Sequence, residues 1–232
     1  MRTDDIDRMK QLPLFDKVSP GVVEGMLSCA YLQRFPSHVE LVREGERADF
    51  LHVIVDGQVE VYSAYRDRET TVAVLEAGHS FIVAAVILDQ IYLKSARALV
   101  PSRILLIPAE AVRHGFERDA AFARAMTMEL AIAYRGVVKE LKNQKLRSSL
   151  ERLANWILAQ DAAAGCSGHI VLPFDKKVLA SRLGMAPEVL SRSFAALQPY
   201  HVSVNGASIR LDDRHALKSL AHPVATIDDP HV

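Results

Sequence analysis

The chain has 232 residues, half of them apolar and a quarter charged, which is ordinary globular composition with room for one large domain or two smaller ones. Its 28 basic and 28 acidic residues cancel, so no overall charge marks it for nucleic acid, and any basic surface must come from local clustering. Two distant cysteines, Cys29 and Cys166, exclude a disulfide framework and a C-x-x-C metal site and favour a reducing compartment.

The opening "MRTDDIDRMKQLPLF" is charged and lacks an apolar signal core, so a cytoplasmic protein is expected. No run approaches the roughly 18 to 20 apolar residues that span a bilayer, so no membrane partner is expected. Residues 4–30 read as helical with a break at Pro13; Ser19 can cap the second piece and Pro20 suits its first position. Cys29 is expected to be buried at that helix end. "FLHVIVDGQVEVYSAY" then alternates on both sides of Asp56-Gly57, which predicts a tight hairpin. "TVAVLEAGHSF" and "SARALVPSRILLIP" continue the pattern, and an antiparallel β-roll or barrel is expected from about 30 to 110.

After Pro108 the period becomes helical. Phe122, Met126, Leu130, Ala133, Val137 and Leu141 recur at spacings of three and four, a seam about 40 Å long at 1.5 Å per residue. A helix this long either crosses a domain boundary or pairs with a second copy. "LERLANWILAQDAA" is a further helix, closed by the Gly165–Gly168 loop, and "HIVLPF" is a short strand. "DKKVLASRLGM" is a helix that Asp175 can cap. "APEVLSRSFAAL" follows, with Leu190, Phe194 and Leu197 on one face and Glu188, Ser191 and Arg192 on another. "HVSVNGASIRL" places Asn205-Gly206 between alternating strands, and the tail "HPVATIDDPHV" is expected to fray.

Two short helices joined at Gly184 and followed by a hairpin make a winged helix-turn-helix. Ala180 is small where the helices would cross, and Leu183 would pack under the turn. The second helix of such a unit enters the major groove with its N-terminal residues on the bases. Arginine can donate two bonds to guanine, glutamate can accept from cytosine, and serine can meet several base edges. Lys176, Lys177 and Arg182 are candidate phosphate contacts. A solvated helix face in a small domain is the alternative reading of Glu188, Ser191 and Arg192. An enzyme is not expected, since no nucleophile–base–orienter set, metal spacing or Gly-rich phosphate loop is present, and no metal site is assigned. A sensor acting on protein partners through a vestigial DNA domain is a third reading.

Over about residues 10–220 the chain resembles the CRP/FNR family of bacterial transcription regulators. "LVREGERADFLHVIVDGQVEVY" is similar to the sensor domain, the long helix to the dimerisation helix, and "KKVLASRLGMAPEVLSRSFAALQ" to the DNA-binding domain. The E-x-x-S-R pattern at Glu188, Ser191 and Arg192 resembles the FNR/DNR/FixK-like branch. It implies a TTGAT-type palindrome, with Arg192 on guanine, Glu188 on cytosine and Ser191 on thymine. Pro199 and His201 depart from the family's charged residues and glycine before the wing. The cyclic-nucleotide cassette is also departed from. Its glycine, glutamate and leucine fall on Val83, Ala84 and Ala85, and Lys94 replaces its arginine ahead of Ser95 and Ala96. The ribose acceptor is missing and lysine lacks the two-pronged fork, so cyclic AMP is not expected.

The iron–sulfur cluster of the oxygen sensors is excluded, because the N-terminus holds no cysteine before Cys29. The resemblance to nitric oxide-responsive denitrification regulators makes haem the candidate cofactor, with His38, His52, His79 and His114 as axial candidates and His79 the first choice. His52 alternates with Leu51 and Val53 and is expected to face away from the apolar side. Phe81, Val83, Ala84, Lys94, Ser95 and Met126 are the effector-pocket candidates. Cys166 has nothing basic beside it in sequence and reads as an inert thiol. The expected fold is α+β: a β-roll with N-terminal helices at 1–117, a dimerisation helix at 118–146, a winged helix-turn-helix at 147–222 and a tail at 223–232. The expected partners are double-stranded DNA, a second copy and RNA polymerase.

Overall fold

The structure, a computed structural model, describes residues 3–229 and 232. The chain divides into two compact units, residues 1–134 and 135–232. In the first, α1 (Thr3–Lys10) and α2 (Pro20–Cys29) flank a 3-10 turn at Pro13–Phe15, so the helical run breaks at Pro13 as expected. Ser19 precedes α2, but its hydroxyl caps nothing there; its amide N–H donates to the Asp119 carboxylate at 3.0 Å. Cys29 ends α2 exposed rather than buried, because Met26 and Leu27 turn the apolar face of the helix inward.

Eight strands follow: β1 (Tyr31–Phe35), β2 (Glu40–Val42), β3 (Phe50–Asp56), β4 (Gln58–Tyr65), β5 (Arg68–Glu76), β6 (Ser80–Phe81), β7 (Ser95–Ala98) and β8 (Ser102–Pro108). They form two antiparallel sheets, ordered β1-β8-β3-β6 and β2-β7-β4-β5. Leu51 and Val53 from one sheet and Val59, Val61 and Ala96 from the other share a single core. The expected hairpin at Asp56-Gly57 does not form. β3 and β4 lie in different sheets, β3 pairing with β8 and β6 while β4 pairs with β5 and β7. Gly57 is a corner between sheets. Its φ is +96°, and a Cβ there would sit 2.8 Å from the Ser102 Cα, so the glycine serves close approach to β8.

Helix α3 (Val83–Leu88) follows β6, and α4 (Ala109–Arg118) leads into α5 (Ala120–Leu146). Asp119 precedes α5 and accepts from the Phe122 N–H at 2.9 Å. Hydrogen bonds from the Ser19 side chain, then from the Phe122 and Ser19 amides, hold its carboxyl down to about 2. The boundary between the units falls inside α5. Phe122 and Met126 are fully buried in the first unit's own core, and Leu130 packs against it. Beyond them Ala133 is exposed, and Val137 and Leu141 are 56% and 53% exposed. The six-residue seam read from the sequence is therefore two surfaces in succession, one internal and one open.

The second unit continues with α6 (Ser149–Ala163), β9 (His169–Val171), α7 (Lys176–Arg182), α8 (Pro187–Ala196), β10 (Val202–Asn205), β11 (Ser208–Leu211), α9 (Arg214–Ala221) and α10 (Ala225–Asp228). Ser148 and Glu151 close a capping box on α6. Leu153, Ile157, Leu179, Leu190, Ile209 and Leu217 make its core. The tail departs from its expected fraying. Residues 225–228 are helical, and the Arg147 guanidinium grips the Asp228 carboxylate with two bonds of 2.6 and 2.7 Å. Lys142 adds a bond of 2.8 Å to the Thr226 hydroxyl.

Candidate nucleic-acid interface

Helices α7 and α8 are joined at Gly184, whose φ of +61° lies in the left-handed region that favours glycine. Ala180 and Leu183 are both buried in the second core. The turn is held by Arg152 of α6, which sequence reasoning passed over. Its Nε donates to the Leu183 carbonyl at 2.8 Å, its Nη2 to the Gly184 carbonyl at 3.3 Å, and its Nη1 to the Arg147 carbonyl at 2.7 Å. Asp175 stands before α7, but its carboxylate makes no cap bond.

Pro187 takes the first position of α8, and Leu190, Phe194 and the following Leu197 anchor the helix in the core. The opposite face carries Glu188, Ser191 and Arg192, all exposed. Among the described residues none of the three makes a side-chain hydrogen bond or ion pair. Glu188 lies in the first turn, where a carboxylate also suits the helix dipole.

Lys176, Lys177 and Ser191 line one open groove of about 340 Å³, together with Gln198. The Lys176 ammonium lies 5.7 Å from the Phe194 ring centroid. Arg182, the third phosphate candidate, is placed elsewhere. Its guanidinium lies over the Phe174 ring at 5.9 Å, and it lines a second cavity with Arg152 and Trp156.

The wing forms despite Pro199 and His201. Gln198–Tyr200 make a 3-10 turn, and His201 itself adopts the left-handed conformation, φ +59°, that glycine would otherwise supply. β10 and β11 pair from Val202↔Leu211 to Asn205↔Ser208. The two turn residues are thus Gly206 and Ala207, one step beyond the expected Asn205-Gly206. Gly206, φ +59°, takes the first central place of a hairpin turn, where a positive φ is needed.

The first unit scatters the effector candidates. Phe81, Val83 and Met126 belong to the packed core, Ala84 is exposed, and Lys94 is half-buried with its pKa lowered by burial. Ser95 accepts from the Glu44 N–H at 3.0 Å. His52 is buried, not solvent-facing. Its ring lies 5.1 Å from Phe81 and 6.5 Å from Tyr92, and its Nδ1 is 3.2 Å from the Phe50 carbonyl. Burial pushes its pKa down to about 4. His38, His79 and His114 are exposed. These residues do not fit a haem: the first-choice His79 sits on the surface, and the apolar candidates are packed against protein. Cys166 does have a basic neighbour, since Arg214 donates to its sulfur at 3.1 Å while pairing with Asp161.

No helix among the described residues is long and apolar enough to cross a membrane. Residues 32–119 match the cyclic nucleotide-binding domain family, and residues 151–220 match the Crp-like helix-turn-helix domain family. No curated protein is a significant match. Among solved structures, a protein of Silicibacter pomeroyi DSS-3, provisionally described as a cAMP-binding regulatory protein, is 26% identical with a TM-score of 0.59. That alignment covers 94% of this chain and 100% of the other. FixK2 from Bradyrhizobium japonicum is 22% identical with a TM-score of 0.73, covering 84% and 99%. A CooA mutant from Carboxydothermus hydrogenoformans is 20% identical with a TM-score of 0.72, covering 85% and 90%.

Proposed function

We propose, from a match to the cyclic nucleotide-binding domain followed by a match to the Crp-like helix-turn-helix domain, that this chain is a CRP/FNR-family transcription regulator and not an enzyme, a homodimer reading a TTGAT-type palindrome with Glu188, Ser191 and Arg192. The observation that carries this reading is the partnerless polar face of α8, seated on a helix whose other face is fixed in the core. Unpaired donors and acceptors on a rigid element are ready for base edges. Arg192 takes guanine, Glu188 accepts from cytosine, and Ser191 meets thymine. Lys176 and Lys177 hold phosphates and supply affinity without sequence information. RNA polymerase is the onward partner, and the cytoplasm the place of action.

The exposed stripe at Val137 and Leu141 is the contact surface for a second copy. Two recognition helices would then meet adjacent major-groove turns, about 34 Å apart. The sensor works without cyclic nucleotide: Val83, Ala84 and Ala85 offer no carboxylate to a ribose, and Lys94 offers no fork to a phosphate. A ligand-independent, FixK-like activator therefore suits this chain better than a cyclic nucleotide- or haem-controlled one.

The test is a titration of labelled TTGAT palindrome at fixed salt. Arg192→Ala should cost about 1 to 3 kcal/mol per half-site. Unchanged affinity in that variant would overturn the assignment. A thermal shift with cyclic AMP would revive the nucleotide reading.

A further inference from the structure

Helix α10 adds no buried residue to the second unit, yet its segment is held to α5 by three cations. The Arg147 guanidinium grips the Asp228 carboxylate with two bonds, and the Lys139 ammonium donates to the Asp229 carbonyl at 2.5 Å. Lys142 donates to the Thr226 hydroxyl at 2.8 Å. Lys139 and Lys142 lie in the last turns of α5, and Arg147 directly follows it. The Asp228 carboxylate also accepts from the Val224 N–H at 2.6 Å, so the group that caps α10 is the group that Arg147 grips. The root of the same segment is fixed to α6. Ala221 is fully buried, and its carbonyl accepts from the Asn155 amide at 2.6 Å. Residues 221–229 therefore run from α6 at one end to α5 at the other. They bridge the two-residue link, Arg147 and Ser148, between those helices. Links of this kind are where hinge motion is absorbed.

Arg147 also connects this segment to the α7–α8 turn. Its carbonyl accepts from Arg152 Nη1 at 2.7 Å, and the remaining donors of Arg152 hold the Leu183 and Gly184 carbonyls. The Gln144 side chain lies against Gly184 from the α5 side. The Arg147 side chain is only 6% exposed, so its grip on Asp228 is largely shielded from salt. One residue thus ties together the tail, the end of α5 and the turn that carries α8.

We infer that residues 225–229 are a strap fixing the angle between the end of α5 and the helix-turn-helix, with Asp228 and Arg147 as positioning residues for base reading. This role rests on the dimeric, palindrome-reading function proposed above. In a dimer built on α5, that angle sets the distance between the two α8 helices. Two half-sites are engaged at once only when that distance matches their spacing. The strap lies past residue 220, where the match to the helix-turn-helix family ends.

The test compares the full-length parent with Asp228→Lys, which turns the grip into repulsion, and with Asp228→Glu, which keeps the charge. Amide hydrogen exchange is followed over residues 143–152. Affinity is measured at fixed salt on the TTGAT palindrome, on a single half-site, and on palindromes with the spacer changed by one base pair. Asp228→Lys should speed exchange at the link and bind the palindrome about tenfold more weakly. It should leave half-site affinity within about twofold and lose most of the parent's spacer preference. Asp228→Glu should retain most of the parent's behaviour. A merely structural role would weaken half-site and palindrome alike and leave the spacer preference in place, and that result overturns the strap. So does an Asp228→Lys variant that matches the parent in exchange, affinity and spacer preference. A parent that ignores the palindrome overturns the base reading itself, and the strap's role falls with it.

Discussion

Burial keeps the His52 imidazole neutral between Phe81 and Tyr92, with its pKa at about 4 against 6.5 for the free group. Between those values the unfolded chain binds a proton that the folded chain refuses. Stability should therefore fall as pH drops from 6.5 towards 4, by on the order of 3 kcal/mol. Unfolding midpoints measured across that range should show the slope, and His52→Phe should flatten it. A different behaviour is expected at Lys176, whose ammonium can face phosphate from the groove it shares with Ser191. Lys176→Ala should weaken specific and unrelated DNA alike and reduce the salt slope by about one counterion. A loss confined to the palindrome would instead make it a base-reading residue.

Two glycines with positive φ separate strain that can relax from strain that cannot. At Gly184 an added Cβ would overlap the Gln144 side-chain oxygen, and that amide can swing aside. Gly184→Ala should then cost mainly the left-handed backbone, about 1 to 2 kcal/mol. At Gly57 the obstacle includes the Ser102 Cα at 2.8 Å, backbone that cannot swing away. Gly57→Ala should lower its own unit's unfolding midpoint further than Gly184→Ala lowers that of the other. The tail clasp is a third test at this scale. Asp228→Asn weakens the bidentate grip of Arg147, and limited proteolysis should then cut near residues 223–229 faster than in the parent.

Sequence periodicity located α1, α2, α4 to α8 and most strands, because period and end signals are local, but it did not place α3, α9 or α10. It could not tell that the strands flanking Asp56-Gly57 leave for different sheets, since β3 is claimed by β8, some fifty residues onward. The bond from Arg214 to Cys166 and the tie of Arg152 to the Gly184 turn were equally out of reach, each joining positions far apart in the chain. Glu188, Ser191 and Arg192 were legible because one helix turn brings them together.

At the scale of the molecule, α5 serves two purposes in sequence. Phe122 fills the first unit's core and stacks on Phe15, with ring centroids 6.5 Å apart. Phe122→Ala should cost about 3 to 5 kcal/mol of stability without first dissociating a dimer. Val137→Glu should leave folding almost unchanged yet yield monomers in sedimentation, and with them a loss of palindrome affinity. A dimer that survives Val137→Glu and Leu141→Glu together would remove α5 from the interface. The proposed base-reading face has a consequence of another kind. Glu188, Ser191 and Arg192 hold nothing else in the chain together, so selection can exchange them without endangering the fold. Gene duplicates of this protein could drift to new operators by changes at three positions, at almost no risk to foldedness. A regulatory network can be rewired most readily where a protein's recognition and its stability rest on different side chains.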